Sequence, residues 1–144
     1  MVPVHRCFFM DNVRPADIYV IDDQPIDSMI LRLLFKKFDP DLLIEAISNA
    51  YTALERLKAI ANSEPFFLPD YIFLDLDMPE MDGWQFLKEY ERLGISQFKS
   101  IQIYVLSSSL YQNDIQKSLL NPLVQDFISK PLSLQHIKEI FQPA

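Results

Sequence analysis

Glycine is nearly absent, with only Gly83 and Gly94 in 144 residues. That excludes the glycine-rich loops that cradle nucleotide phosphates, which need backbone where a Cβ is not tolerated. The single cysteine, Cys7, rules out an internal disulfide and suits a reducing compartment. The two histidines, His5 and His136, lie near opposite ends with no Cys or His ligand spacing around them, which argues against zinc. Basic runs are missing and the formal net charge is −7, so no nucleic-acid partner is expected. No apolar run approaches the ~18 residues of a membrane span. The opening Met1–Met10 has one Arg and a short apolar cluster, a poor secretion signal. No membrane association and a cytoplasmic location are therefore expected.

What remains is an ordinary globular composition, 49% apolar and 23% charged, on a chain long enough for one domain with a sizeable core. The stretch from Tyr71 to Gly83 organises it. Tyr71, Ile72, Phe73 and Leu74 read as a buried strand ending at Asp75, and Pro79 with Asp82-Gly83 marks a loop and a helix start. Asp75 therefore falls at a strand's carboxyl end, where open α/β sheets place their ligand crevices. A carboxylate there can act as a nucleophile, hold a metal or simply cap a turn.

The rest of the chain alternates in the same way. Residues 1–16 show no clear period and read as an extension, and 17–142 as the domain. A first strand, Asp17–Asp23, ends in an acidic pair, and Pro25 suits the first turn of the next helix. Ile26, Met29, Ile30, Leu33 and Leu34 share a helical face, expected toward the core. A second strand covers Leu42–Ile47, and Ala50, Ala53, Leu54, Leu57 and Ile60 mark a second helix. Phe66 and Phe67, in the Ser63–Pro69 loop, are expected to pack down. A third helix carries Trp84, Phe86, Leu87 and Tyr90 and stops at Gly94. Ile101–Leu106 is a fourth strand, Gln112–Leu120 a weaker fourth helix, and Val124–Ile128 a fifth strand. Ser133 caps a last helix with Leu134, Ile137, Ile140 and Phe141 on one face.

Five β-α units imply an α/β fold, a doubly wound parallel sheet covered on both sides. Right-handed crossovers bring all carboxyl strand ends to one edge. That gathers Asp22, Asp23, Asp75, Ser107 and Lys130. Three carboxylates in one crevice repel unless a hard cation binds them, and Mg²⁺ suits a site of few carboxylates plus a phosphate. Lys130, expected exposed at the crevice edge, supplies a point charge for a phosphoryl group and Ser107 a hydroxyl. Phosphoryl transfer asks for little beyond such positioning and neutralisation.

On four motifs the chain resembles the response-regulator receiver domain. They are Val20-Ile21-Asp22-Asp23; Leu74-Asp75 with Met78-Pro79 and Met81-Asp82-Gly83; Val105-Leu106-Ser107-Ser108; and Phe127-Ile128-Ser129-Lys130-Pro131. The resemblance covers about residues 17–142 and implies the flavodoxin-like (βα)5 fold with strand order 2-1-3-4-5. It also implies roles. Asp75 is the phosphorylated aspartate; Asp23, Asp75 and the backbone carbonyl of Asp77 bind Mg²⁺, with Asp22 acting through water. Ser107, standing where the family more often has Thr, and Lys130 contact the phosphoryl group. Phe127 turns inward as Ser107 moves, and a fixed core aromatic is the plain alternative. Asp77 and Ser109 tune the lifetime of the phosphorylated state.

The implied function is that of a single-domain response regulator, a phosphoacceptor signalling domain rather than an enzyme. A sensor histidine kinase or histidine phosphotransfer protein supplies the phosphoryl group. A downstream target is met through the fourth helix, fifth strand and fifth helix. Two other readings compete. Asp75-Leu76-Asp77 also fits a haloacid-dehalogenase-type phosphatase, although Pro79 and the position of the acidic pair before the nucleophile do not. The second is a phosphorylation-independent receiver-like interaction module.

Overall fold

The computed structural model describes residues 15–108 and 111–142. Most of the 1–16 extension and Ser109 therefore lie outside the described residues. The elements are β1 (Ile18–Ile21), α1 (Pro25–Phe38), β2 (Ile44–Ile47), α2 (Ala50–Ser63), β3 (Tyr71–Asp75), α3 (Gly83–Arg92), β4 (Gln102–Ser107), α4 (Gln112–Leu120), β5 (Val124–Ser129) and α5 (Leu134–Phe141). Short 3-10 turns cover Pro65–Phe67 and Ile95–Gln97.

The five strands pair in parallel in the order β2-β1-β3-β4-β5. Alternate side chains of each strand feed two separate cores. Tyr19, Ile21, Ile72, Leu74, Ile103 and Val105 face α2 and α3. Ile18, Val20, Phe73, Tyr104 and Leu106 face α1 and α5. A strand buried on both sides reads as a continuous apolar run, which is why β1, β3 and β4 show no polar alternation.

Local chemistry sets the helix starts. Asn49 accepts from the Thr52 N–H at 3.1 Å, and Ser133 accepts from the His136 N–H at 3.2 Å. Asp82 and Gln85 form a reciprocal capping box that begins α3 just beyond the β3 loop. Gly94 takes φ +67, the left-handed conformation that ends the α3 region.

The face of α1 differs from the sequence expectation. Ser28, Leu31 and Phe35 are buried, whereas Ile26 is 67% exposed and Met29, Ile30 and Leu33 are also exposed. Two apolar stripes run along this helix, and the aromatic one wins. Phe35 packs on Phe73 at 4.9 Å between ring centroids and on Phe141 at 6.0 Å, while Phe38 stacks on Phe141 at 5.4 Å. Aromatic rings bury more area than the aliphatic side chains of the other stripe. The two phenylalanines after α2 also divide: Phe67 is buried, but Phe66 is 80% exposed.

Candidate functional site

The register sets the site. Ile21 of β1 pairs with Leu74 of β3, and Asp75 with Leu106 of β4, so Asp22, Asp75 and Ser107 leave three adjacent strands at nearly one level. Ser107 pairs with Ser129, and the Lys130 N–H donates to the Ser107 carbonyl at 2.9 Å, which brings β5 to the same edge.

Asp22, Asp23 and Asp75 each offer a carboxylate oxygen, and these atoms lie within 4.8 Å of one another. Asp22 and Asp75 are buried. Asp22 Oδ1 accepts from the Gln24 N–H at 2.9 Å and Asp75 Oδ1 from the Asp77 N–H at 3.1 Å. Asp23 Oδ1 is buried and has no partner among the described residues. A carboxylate oxygen left so is costly unless a cation or water meets it. The donor set, hard oxygens around a shared space, fits Mg²⁺. Burial first, then the neighbouring Asp22 charge, pushes the Asp75 carboxyl up to about 7, against the pull of the Asp77 N–H and Lys130.

Lys130 closes the site. Its Nζ lies 3.0 Å from Asp22 Oδ2, 3.0 Å from Asp27 Oδ2 and 3.5 Å from Asp75 Oδ1. Burial alone would lower its pKa, but the bonds to Asp22 and Asp27 and the Asp75 charge raise it overall. The expectation of an exposed lysine is corrected: its side chain is only 19% exposed. Three carboxylates draw the ammonium inward, and Lys130 lines a small pocket together with Leu31, Leu106 and Leu132.

Ser107 is buried, and its Oγ–H donates to the exposed Asp77 Oδ2 at 3.2 Å. Phe127 is half-buried beside Val105 and packs on the α2/α3 core. The structure thus brings Asp22, Asp23, Asp75, Asp77, Ser107 and Lys130 together. Sequence reasoning missed Asp27. The available signal was its place in the first turn of α1, two residues after Pro25, where a carboxylate is favoured by the helix's free N–H groups.

A buried acidic cluster and a lysine gather at the strand ends of a 2-1-3-4-5 sheet, the flavodoxin-like arrangement that places a crevice at the carboxyl edge. Residues 18–142 match the response regulator receiver domain family, and the chain belongs to that family rather than to the phosphatases. It is 28% identical over 128 residues to the sensor histidine kinase CheAY of Helicobacter pylori, covering 88% of this chain. It is 35% identical over 102 residues to the transcriptional regulatory protein YhcZ of Bacillus subtilis, covering 71% of this chain. The chain spans 15% of the first relative's length and 42% of the second's. A two-component response regulator from Cytophaga hutchinsonii shares the fold, with TM-score 0.79 and 22% identity over 89% of this chain and 96% of that one. No helix among the described residues is long and apolar enough to cross a membrane.

Proposed function

We propose that this receiver domain accepts a phosphoryl group on Asp75 from the phosphohistidine of a sensor histidine kinase or histidine phosphotransfer protein, with Mg²⁺ bound. One observation carries the reading: three convergent carboxylates, one of them with an unpartnered buried oxygen, faced by a single lysine. Asp23, Asp75 and the Asp77 carbonyl would hold Mg²⁺ directly and Asp22 through water. The cation supplies neutralisation of the charge that gathers on the transferred group. An Asp75 oxygen attacks phosphorus, the P–N bond to the donor imidazole breaks, and its electron pair stays on the imidazole nitrogen. Lys130 and the Ser107 hydroxyl take the new phosphoryl oxygens.

The exposed apolar stripe of α1 supports a protein donor. Ile26 and Ile30 flank Asp27, which pairs with Lys130, so a partner helix seated there has its histidine beside the site. Output runs through α4, β5 and α5. Tyr111, Leu119 and Leu120 are exposed at α4, and Phe127 lies between Ser107's strand and that surface. A close-packed aromatic with two discrete positions makes a bistable element. The setting is cytoplasmic, and the domain acts as a signalling switch.

Incubation with acetyl phosphate and Mg²⁺, read by intact mass and peptide mapping, tests this. One phosphoryl group on Asp75, abolished by Asp75→Asn and by chelation of Mg²⁺, is expected. Labelling of Ser107 instead, or none at all, overturns it.

A further inference from the structure

We propose that Asp27 is a positioning residue. It holds the Lys130 ammonium toward α1 in the unphosphorylated domain and so sets how readily that lysine turns to a phosphoryl group on Asp75. The inference rests on the phosphoacceptor reading above.

The geometry carries it. Lys130 Nζ lies 3.0 Å from Asp27 but 3.5 Å from Asp75, the residue it serves. Asp22, the other partner at 3.0 Å, belongs to the carboxylate cluster that a cation would claim. Asp27 is outside that cluster. A cation in the cluster would compete with Lys130 for Asp22 and not for Asp27. Asp27 also sits in the first turn of α1, where unpaired N–H groups favour a carboxylate. Ile30, Leu31, Leu106 and Leu132 line the same pocket as Asp27 and Lys130. The pair spans from α1 to the loop after β5. A phosphoryl group on Asp75 must compete with it for the same ammonium.

Calorimetric titration of beryllofluoride with Mg²⁺ tests the role in four proteins: wild type, Asp27→Asn, Lys130→Met and the double variant. Asp27→Asn should tighten binding about two- to five-fold, the worth of one partly exposed ion pair. It should leave the Lys130→Met affinity unchanged. Equal tightening in both backgrounds would show a through-space charge effect and overturn the proposal, as would unchanged or weakened binding in Asp27→Asn. If Lys130→Met binds too weakly to titrate, the ¹⁵N resonance of Lys130 Nζ in the free domain decides. Asp27→Asn should move it, and an unmoved resonance overturns the pairing. Wild type that binds no beryllofluoride would sink the phosphoacceptor reading itself, whereas intact binding without coupling sinks only the role of Asp27.

Discussion

The Ser107 hydroxyl points at Asp77, donating to its Oδ2 at 3.2 Å across the mouth of the site. Asp77 is exposed and two residues beyond Asp75, and under the proposed function it would border the path by which water reaches a phosphorylated Asp75. To meet a phosphoryl oxygen, Ser107 must give up this bond. Asp77→Ala removes the competitor and a negative charge facing the phosphoryl group. Hydrolysis should slow about two- to ten-fold, the range set by one hydrogen bond. Decay of the phosphorylated protein after removal of the phosphodonor measures it, and an unchanged rate takes Asp77 out of the lifetime control.

Without Mg²⁺, stability should fall as pH rises through the Asp75 titration. The folded-state value is raised to about 7 from the ordinary 3.8, so the folded chain keeps a proton that the unfolded chain has lost. The contribution is complete below 3.8, shrinks above it and is gone above about 7, where the ionised carboxylate lies buried beside Asp22. Asp75→Asn should therefore raise Tm at pH 8 and leave it unchanged near pH 4. Mg²⁺ should raise the wild-type Tm at pH 8 more than that of Asp75→Asn. Thermal melts at the two pH values, with and without the cation, check both statements.

Tyr90 is buried in the α2/α3 core, and its hydroxyl has no partner among the described residues. Burial pushes its pKa up to about 12. Tyr90→Phe removes an unpaired polar atom at nearly constant shape and should stabilise by about 1 kcal/mol. Urea unfolding reads this directly, and a loss of stability would show that the hydroxyl is satisfied.

Glu80, in the β3–α3 loop, and Gly83, the first residue of α3, should respond in opposite senses. Glu80 takes φ +65, a conformation that side chains disfavour, so Glu80→Gly should stabilise by up to about 1 kcal/mol. A Cβ at Gly83 would stand 2.8 Å from Leu76 Cδ2, 2.9 Å from Leu76 Cα and 3.0 Å from the Asp75 carbonyl oxygen. Gly83→Ala should cost about 1–3 kcal/mol and shift the backbone at the end of β3, where Asp75 and Leu76 lie. Denaturant midpoints of the two variants provide the comparison.

Ile30→Asp should separate protein donors from small ones. Ile30 is exposed, so the substitution should leave stability within about 0.5 kcal/mol. Phosphotransfer from a histidine phosphotransfer protein should drop, while labelling by acetyl phosphate should persist. Equal loss from both donors would place the defect in the site and not in docking.

The sequence by itself determined the five β-α units and the strand-end positions of Asp22, Asp23, Asp75, Ser107 and Lys130. Those features are local: apolar runs ending in polar residues, Pro25 at a helix start, Asp82 and Ser133 as caps. Tertiary structure decided what local pattern leaves degenerate. Periodicity places two apolar stripes on α1 but does not say which faces inward. Phe73, Tyr71 and Phe141 settle it by offering an aromatic bed to Phe35 and Phe38, leaving Ile26, Met29, Ile30 and Leu33 to solvent. The same choice turns Asp27 toward Lys130, 103 residues away in sequence, and draws the lysine under cover. Spacing along one helix carries no trace of a partner that distant, because only the sheet brings α1 and the end of β5 side by side.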